Sequence, residues 1–410
     1  MRWLPYFIAA GVAAPWLVVH LTGQDVGNTL VAVLSGVAIL GAAFLLSWAC
    51  EVAEEDVPQA LAVSVLALVA VLPEYAVDAT FAWKAATDPE SAGYAIANMT
   101  GGNRLMLGFG WTLVCVLNWA KFRRDRVVLQ RDMGAEITIL LLSTLYALVP
   151  VWRGSLTLFD TAVYVTLYLL YLVAAARGEE HESEPVGPAA VLAHQSTMVR
   201  RAGVLLLLLF GAGVIVLSAE PFAEALVHTG KEFGVDEFVL VQWVAPVASE
   251  APEVVVATLM VWRGASQTGL RALVSSSVNQ WTLLVGTLAL VVSLASHGVA
   301  SLPLDRRQSD EMLLTAAQCL FGIAVIADLR LQLWQAGLLG GLFLIQPLMP
   351  NSHHLIAMGY LVLFVLLVVF DKRTRLGIGE SVRTFWSMLT NSPRPKEPDE
   401  PEGAQSGLEG

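Results

Sequence analysis

The sequence predicts an all-α polytopic membrane protein of about 12 transmembrane helices: two inverted-topology repeats of five helices, plus an extra helix at each end. Three observations carry this expectation. The 410 residues are 56% hydrophobic and only 14% charged, against about 25% charged in a typical soluble domain, and the mean hydropathy is +0.64. Apolar runs of about 20 residues, the length that crosses a hydrocarbon core as a helix, recur from one end to the other. One such run, with a Pro-Glu pair inside it, occurs twice. A transmembrane β-barrel would show alternating segments of about ten residues, and these runs do not alternate.

Taken in order, the spans fall at 4–22, 28–49, 57–86, 92–119, 134–152, 155–176, 199–218, 234–262, 268–296, 311–328, 331–348 and 353–371. The first follows Arg2, but no small-x-small cleavage site comes after it, so 1–22 reads as a retained extra helix rather than a signal peptide. Residues 28–177 make the first half, with its repeat core at 57–119. Residues 178–198 link the halves; the four glutamates and His181 of GEEHESEPVG (178–187) suit a solvated linker. The second half is 199–348, with its core at 234–296. An extra helix at 353–371 follows, and His353-His354 marks its interfacial start rather than a metal site. In the tail, 372–410, the stretch from 392 has the Pro, Glu and Gly content of a disordered end. Cys50, Cys115 and Cys319 lie in or beside apolar runs and read as small buried hydrophobes, not as a disulfide framework or zinc site.

Lys and Arg set the orientation. The 120–133 loop holds Lys121, Arg123, Arg124, Arg126 and Arg131 and is therefore placed in the cytoplasm. Counting spans from it puts Arg2, Arg177, Arg200, Arg201, Arg263, Arg330, Lys372, Arg373 and Arg375 on the same side, with Arg306 and Arg307 opposite. Both termini are then cytoplasmic, in a plasma membrane of bacterial inner-membrane type. The acidic loop CEVAEEDV (50–57) also lands inside, but acids weigh little in this rule.

The duplicated stretches are AEEDVPQALAVSVLALVAVLPEYAVDATFAWKAA (53–86) and GKEFGVDEFVLVQWVAPVASEAPEVVVATLMVWRGA (230–265). Each runs from a polar, acidic start through an apolar run to Pro-Glu, then on to a Trp and a cation. Each precedes a helix with a polar interruption, IANMTGGNRLML (96–107) or ALVSSSVNQWTLL (272–284). By the charge rule the Glu74 helix runs outward and the Glu253 helix inward. Inverted repeats with broken helices meeting at a midplane ion site are a common transporter plan. Pro73 and Pro252 break the helical ladder and free a carbonyl that can face a cation. A lone Pro-Glu could be a kink with a snorkelling glutamate; two copies in matched settings favour Glu74 and Glu253 as cation ligands.

Other classes fit poorly. The net charge of −11 comes mainly from loops and tail, and no basic patch suggests a nucleic-acid partner. No H-E-x-x-H, no G-x-S-x-G and no Cys/His pair occurs in the spans, so an intramembrane enzyme is not expected. The expected partners are inorganic cations and the bilayer, with no bound cofactor; oligomeric state is left open.

On these residues the chain resembles the sodium/calcium exchanger family of the cation/calcium antiporter superfamily, as a divergent bacterial-type member. That family carries G-T-S-x-P-E on one helix and G-N-x-x-G-S-N on the next. Here Pro73-Glu74 is followed by Ala97-Asn98-Met99-Thr100-Gly101-Gly102-Asn103, and Pro252-Glu253 follows Ser249, where the family has Thr. The second partner segment, Val274 to Ser277, is looser. The likeness covers roughly 28–119 and 200–296. It implies an alternating-access antiporter that exchanges Ca2+ or Na+ against Na+ or H+ at a midplane site. The two Pro-Glu glutamates would bind the cation, with carbonyls and small polar side chains completing an oxygen shell. The alternative is a transport-inactive receptor or scaffold that keeps the fold.

The departures from the family pattern are specific. Ala70 and Val71 stand for Thr-Ser, and the serine four residues after Glu74 becomes Asp78. In the partner helix Gly102 replaces a serine and Met106 takes the second ligand position. In the second repeat Glu250 replaces a serine, with Ser276 and Gln280 at the partner positions. About five extra residues lie near Thr87–Ser91. The expected ligand set is thus Glu74, Asp78, Asn98, Asn103, Glu250, Glu253, Ser276 and Gln280, with Arg104 as a counter-charge. Glu74 and Asp78 share a helix face, as do Glu250 and Glu253. Four acids at one midplane cannot all stay ionised without cations or protons. That favours proton-coupled exchange at least as much as sodium coupling.

Overall fold

The computed structural model describes residues 2–54, 56, 69, 71–177, 185–349 and 352–390. Among these, ten helices are long and apolar enough to cross a membrane. The expected first span is not one helix. It divides into α1 (Leu4–Gly11) and α2 (Ala14–Thr22), each with a proline in its first turn. Pro15 cannot donate the next ladder bond, so the run restarts there. Next come α3 (Asn28–Ala53) and α4 (Leu72–Lys84), the described part of the 57–86 span. Residues 57–68 and Ala70 of that span lie outside the described residues, as do 178–184 with His181 and the end of the tail from 391.

The first half continues with α5 (Pro89–Phe122), α6 (Arg131–Arg153) and α7 (Leu158–Ala175). The 178–198 linker includes a short helix, α8 (Pro188–Ala193). The second half holds α9 (Thr197–Phe233), α10 (Glu237–Trp262), α11 (Ser266–Ala295), α12 (Arg306–Ile326) and the shorter α13 (Leu333–Leu348). The helix α9 runs 15 residues past the expected end at 218, carrying Pro221 within it. The last two are α14 (His353–Phe370) and α15 (Lys372–Thr390). The latter stands where a plain tail was expected. Its Thr374, Gly377, Ser381, Phe385 and Met388 are buried on one face, against α6 and α7.

Two very short ribbons tie the loops. Strand β1 (Arg126–Val128) pairs antiparallel with β4 (Arg330–Gln332), and β2 (Ser155–Leu156) with β3 (Leu302–Pro303). β1 and β3 each follow the polar-interrupted helix of their half; β2 and β4 each follow the next helix along. Exchanging the halves therefore maps one ribbon onto the other, the pattern that a two-fold axis between them produces. The pairings also satisfy loop backbone beside the membrane.

The centre is built from α4, α5, α10 and α11, with α12 behind α5. In α5 every residue from Ser91 to Arg104 is buried, so protein surrounds that segment on all sides. By contrast α9 presents Leu205, Leu206, Leu209 and Val216 outward. A helix apolar on its exposed face is the signature of a lipid contact.

Candidate cation site

Each candidate ligand owes its place to a local feature of its helix. Pro73 sits in the first turn of α4, where its missing N–H is no loss. Glu74 therefore lies at the helix N-terminus, whose dipole favours an anion. One turn on, Asp78 is equally buried, and its Oδ1 accepts from Asn98 Nδ2 at 2.8 Å. Between them Tyr75 donates its hydroxyl to Asn279 Oδ1 at 3.0 Å, linking α4 to α11.

Pro252 does not end its helix, contrary to the sequence expectation of a break in both repeats. The helix α10 runs unbroken through Pro246 and Pro252. What the prolines remove are the ladder partners of the Gln242 and Ala248 carbonyls, four residues earlier. The Gln242 carbonyl meets α5 at Gly101, where a Cβ would lie 2.0 Å from its oxygen. At Gly102 a Cβ would lie 2.7 Å from a carboxyl oxygen of Glu250. The Gly-Gly pair thus lets the α5 backbone approach α10 in a way no side chain would permit. In both polar-interrupted helices a single π-turn follows, at Met106–Gly110 and Gln280–Leu284. Each begins at the position marked in the sequence as the second partner ligand. Such turns often accompany functional sites.

These features bring residues from both halves to one crevice. Glu74, Asp78, Asn98, Gly102, Ser249 and Glu250 line it. Glu253 stands one turn beyond Glu250, half-buried, and is an electrostatic neighbour of both Glu74 and Glu250. Ser276 sits beside Glu253, and Gln280 donates its amide to Glu250. Asn103 lies away from the crevice wall, its Nδ2 donating to Met99 O at 3.0 Å. Among the described residues, no three His, Cys, Asp or Glu side chains are grouped tightly enough to hold a metal ion by themselves. A cation here would also need amide, hydroxyl or carbonyl oxygens.

Such oxygens are present. Glu74 Oε2, Asp78 Oδ2, Asn98 Oδ1, Asn103 Oδ1, Glu250 Oε2, Glu253 Oε2, Ser276 Oγ and Gln280 Oε1 are all buried without a hydrogen-bond partner among the described residues. Leaving one buried polar group unmade costs about 1–3 kcal/mol. All eight sequence-selected side chains leave such an oxygen.

Arg104 is a correction. It does not neutralise this acid group. Its Nη2 lies 2.9 Å from Glu311 Oε2 on α12, and the guanidinium sits 5.9 Å from the Trp243 ring centre. The reason is helical phase: Asn98 and Gly102 share the crevice face of α5, whereas Arg104 is about 200° round from Gly102. Glu311 was missed by the sequence reading, although a carboxylate opening an apolar span is a recognisable signal. A second missed group lies toward the other end, where Arg271 of α11 pairs with Asp132 at 2.5 Å and Glu136 at 3.4 Å.

A polytopic helical protein with a buried, oxygen-rich centre shared by two halves is a membrane carrier for cations in design. The sodium/calcium exchanger protein family matches residues 27–177 and 203–370, and the chain belongs to that family. It is an integral membrane protein of a transporter family, not of a catalytic one. Its fold is similar to the crystal structure of an H+/Ca2+ exchanger CAX, with 40% sequence identity and a TM-score of 0.91 over 95% of this chain and 99% of that one. It is also similar in fold to the sodium-calcium exchanger NCX_Mj soaked with Na+ and Sr2+ (19% identity, TM-score 0.51, 77% of this chain and 96% of that one). Native YfkE is a third likeness (13% identity, TM-score 0.57, 87% and 99%). No curated protein matches the chain by sequence.

Proposed function

We propose that the protein is an alternating-access antiporter that exchanges Ca2+ against H+ at a site shared by Glu74, Asp78, Glu250 and Glu253. Asn98, Ser276 and Gln280 complete the oxygen shell, while Asn103, expected as a ligand, lies away from the crevice wall. The observation that carries this is a set of seven buried oxygens without hydrogen-bond partners among the described residues, contributed by both halves of the chain. A hard cation prefers six to eight oxygens and would offset their lost hydration. Removing the cation leaves carboxylates that can take up protons instead, which gives the competition that an exchanger needs. The similarity to an H+/Ca2+ exchanger over nearly the whole chain supports the same pairing of ions. Asp78 and Glu250 support it too, since carboxylates stand where the family pattern has serines.

Both termini are placed in the cytoplasm by the Lys and Arg distribution, and the membrane is of bacterial inner-membrane type. The test is uptake of Ca2+ by proteoliposomes under an imposed pH gradient, repeated under an imposed Na+ gradient. The expected result is uptake driven by the pH gradient. Uptake driven by Na+ alone would replace the proton with sodium. Absence of exchange for every cation tested would leave a scaffold that kept the fold.

A further inference from the structure

Behind α5, away from the crevice, Glu311 gathers four helices onto one buried carboxylate. It is 2% exposed. Its Oε2 forms an ion pair with Arg104 Nη2 from α5 at 2.9 Å and accepts from Gln242 Nε2 of α10 at 2.8 Å. Its Oε1 meets His353 Nδ1 at the start of α14. The same cluster extends through Gln318 of α12, which donates to the Arg104 carbonyl at 3.1 Å and accepts from Gln346 at 2.8 Å.

The geometry points to Glu311 as a positioning residue for cation exchange: by tying Arg104 to Gln242 it fixes the spacing at which α5 and α10 present their oxygens to the crevice. This rests on the exchange reading above. The argument is one of adjacency along two helices. Arg104 immediately follows Asn103 and is two residues from Gly102, which touches Glu250. Gln242 carries the carbonyl that packs on Gly101, two turns before Glu250. Thus one carboxylate oxygen ties the two helices side chain to side chain where their backbones already cross. Both helices then run on to the site. Glu311 touches none of the candidate ligands. Partners that orient metal ligands commonly carry a large share of the affinity, and losing one costs about 10–100-fold.

Glu311→Gln alone leaves a buried arginine without its counter-ion and could fail to fold. The Arg104→Gln/Glu311→Gln double variant removes both charges together, and Glu311→Asp keeps the charge on a shorter arm. Two readouts are taken on the full-length protein. One is Ca2+ uptake against Ca2+ concentration in proteoliposomes. The other is the distance between spin labels at Glu90 and Val244, both exposed, by pulsed electron resonance. In the double variant the half-saturating Ca2+ concentration should rise by about 10-fold or more while the maximal rate changes less, and the label distance should shift or broaden. Glu311→Asp should fall between it and the parent protein. A folded double variant with unchanged half-saturation and unchanged distance overturns the positioning role. A parent protein that exchanges no cation, with a distance that still changes in the double variant, sinks the exchange reading and leaves Glu311 as the spacer of α5 and α10.

Discussion

The side chains of Glu74 and Glu253 are where the two Pro-Glu motifs become chemistry. Each ends in a buried oxygen without a hydrogen-bond partner among the described residues, which supports the proposed ligand role. Glu74→Gln should lower exchange by about 100-fold or more, because loss of mere outer partners already costs about 10–100-fold. Glu253→Gln should do the same in the same uptake assay. Full flux in both would remove these two residues from the site. Asp78 gives a sharper case. Its Oδ1 is held by Asn98 while Oδ2 is open. Asp78→Ser, which restores the family's residue type, should reduce uptake driven by a pH gradient by about tenfold, a ligand-orienting effect. If proton-driven uptake is unchanged, Asp78 takes no part in proton coupling.

Among the elements, the crossing of α5 and α10 is the tightest that the site depends on. Gly101→Ala would place a methyl 2.0 Å from the Gln242 carbonyl oxygen, which is backbone and cannot swing aside. Overpacking of this kind costs about 1–3 kcal/mol or more. The expected outcome is a lower melting temperature in detergent than for Gly341→Ala, where no atom lies within 4 Å. Equal melting temperatures would mean that the two helices separate freely there. A second element contact is electrostatic. Asp56 accepts from Arg200 Nε and Nη2 at 2.8 Å each, tying the region after α3 to the start of α9. The Arg200 and Arg201 bonds lower its carboxyl from 3.8 to about 2. A depressed acid contributes stability that is full above its unfolded value and fades as pH falls toward the folded one. The stability gap between parent and Asp56→Asn should therefore be open above pH about 4 and close as pH drops toward about 2. A gap that persists at the lower end would show that the pairing is not its source.

At the scale of the whole molecule, the two crossed ribbons and the shared crevice express one arrangement. Residues of both halves line the crevice, Glu74, Asp78, Asn98 and Gly102 from one and Ser249 and Glu250 from the other. The proposed direction in which this assembly sits, with both termini in the cytoplasm, follows from the charge rule. A cysteine at Val299, 90% exposed, should react with an impermeant maleimide from outside intact right-side-out vesicles. A cysteine at Arg373 should react only after the membrane is opened. The native Cys50, Cys115 and Cys319 are buried and should stay silent. The reverse pattern would invert the assigned topology.

Much of this was legible in one dimension. Hydrophobic length marked the spans because a helix must satisfy its backbone within lipid, which leaves few alternatives. The repeated Pro-Glu and the Ala97–Asn103 segment marked which spans meet, because buried acids and a Gly-Gly pair are too costly to occur there idly. Glu74 and Glu253 were marked by the duplicated Pro-Glu, and Asp78, Asn98, Asn103, Glu250, Ser276 and Gln280 by the family pattern that the chain resembles. Only the tertiary structure decided which way each one faces. Arg104 follows a candidate ligand in sequence yet turns to Glu311, because consecutive helical residues diverge by about 100°. Pro252 bends no break into α10, because neighbouring helices hold the segment that local propensity would release. Glu311 and Gln242 stand 69 residues apart and meet across a packed interface. Residue type and period are local properties that a sequence states outright, whereas the pairing of distant side chains exists only once the helices have packed.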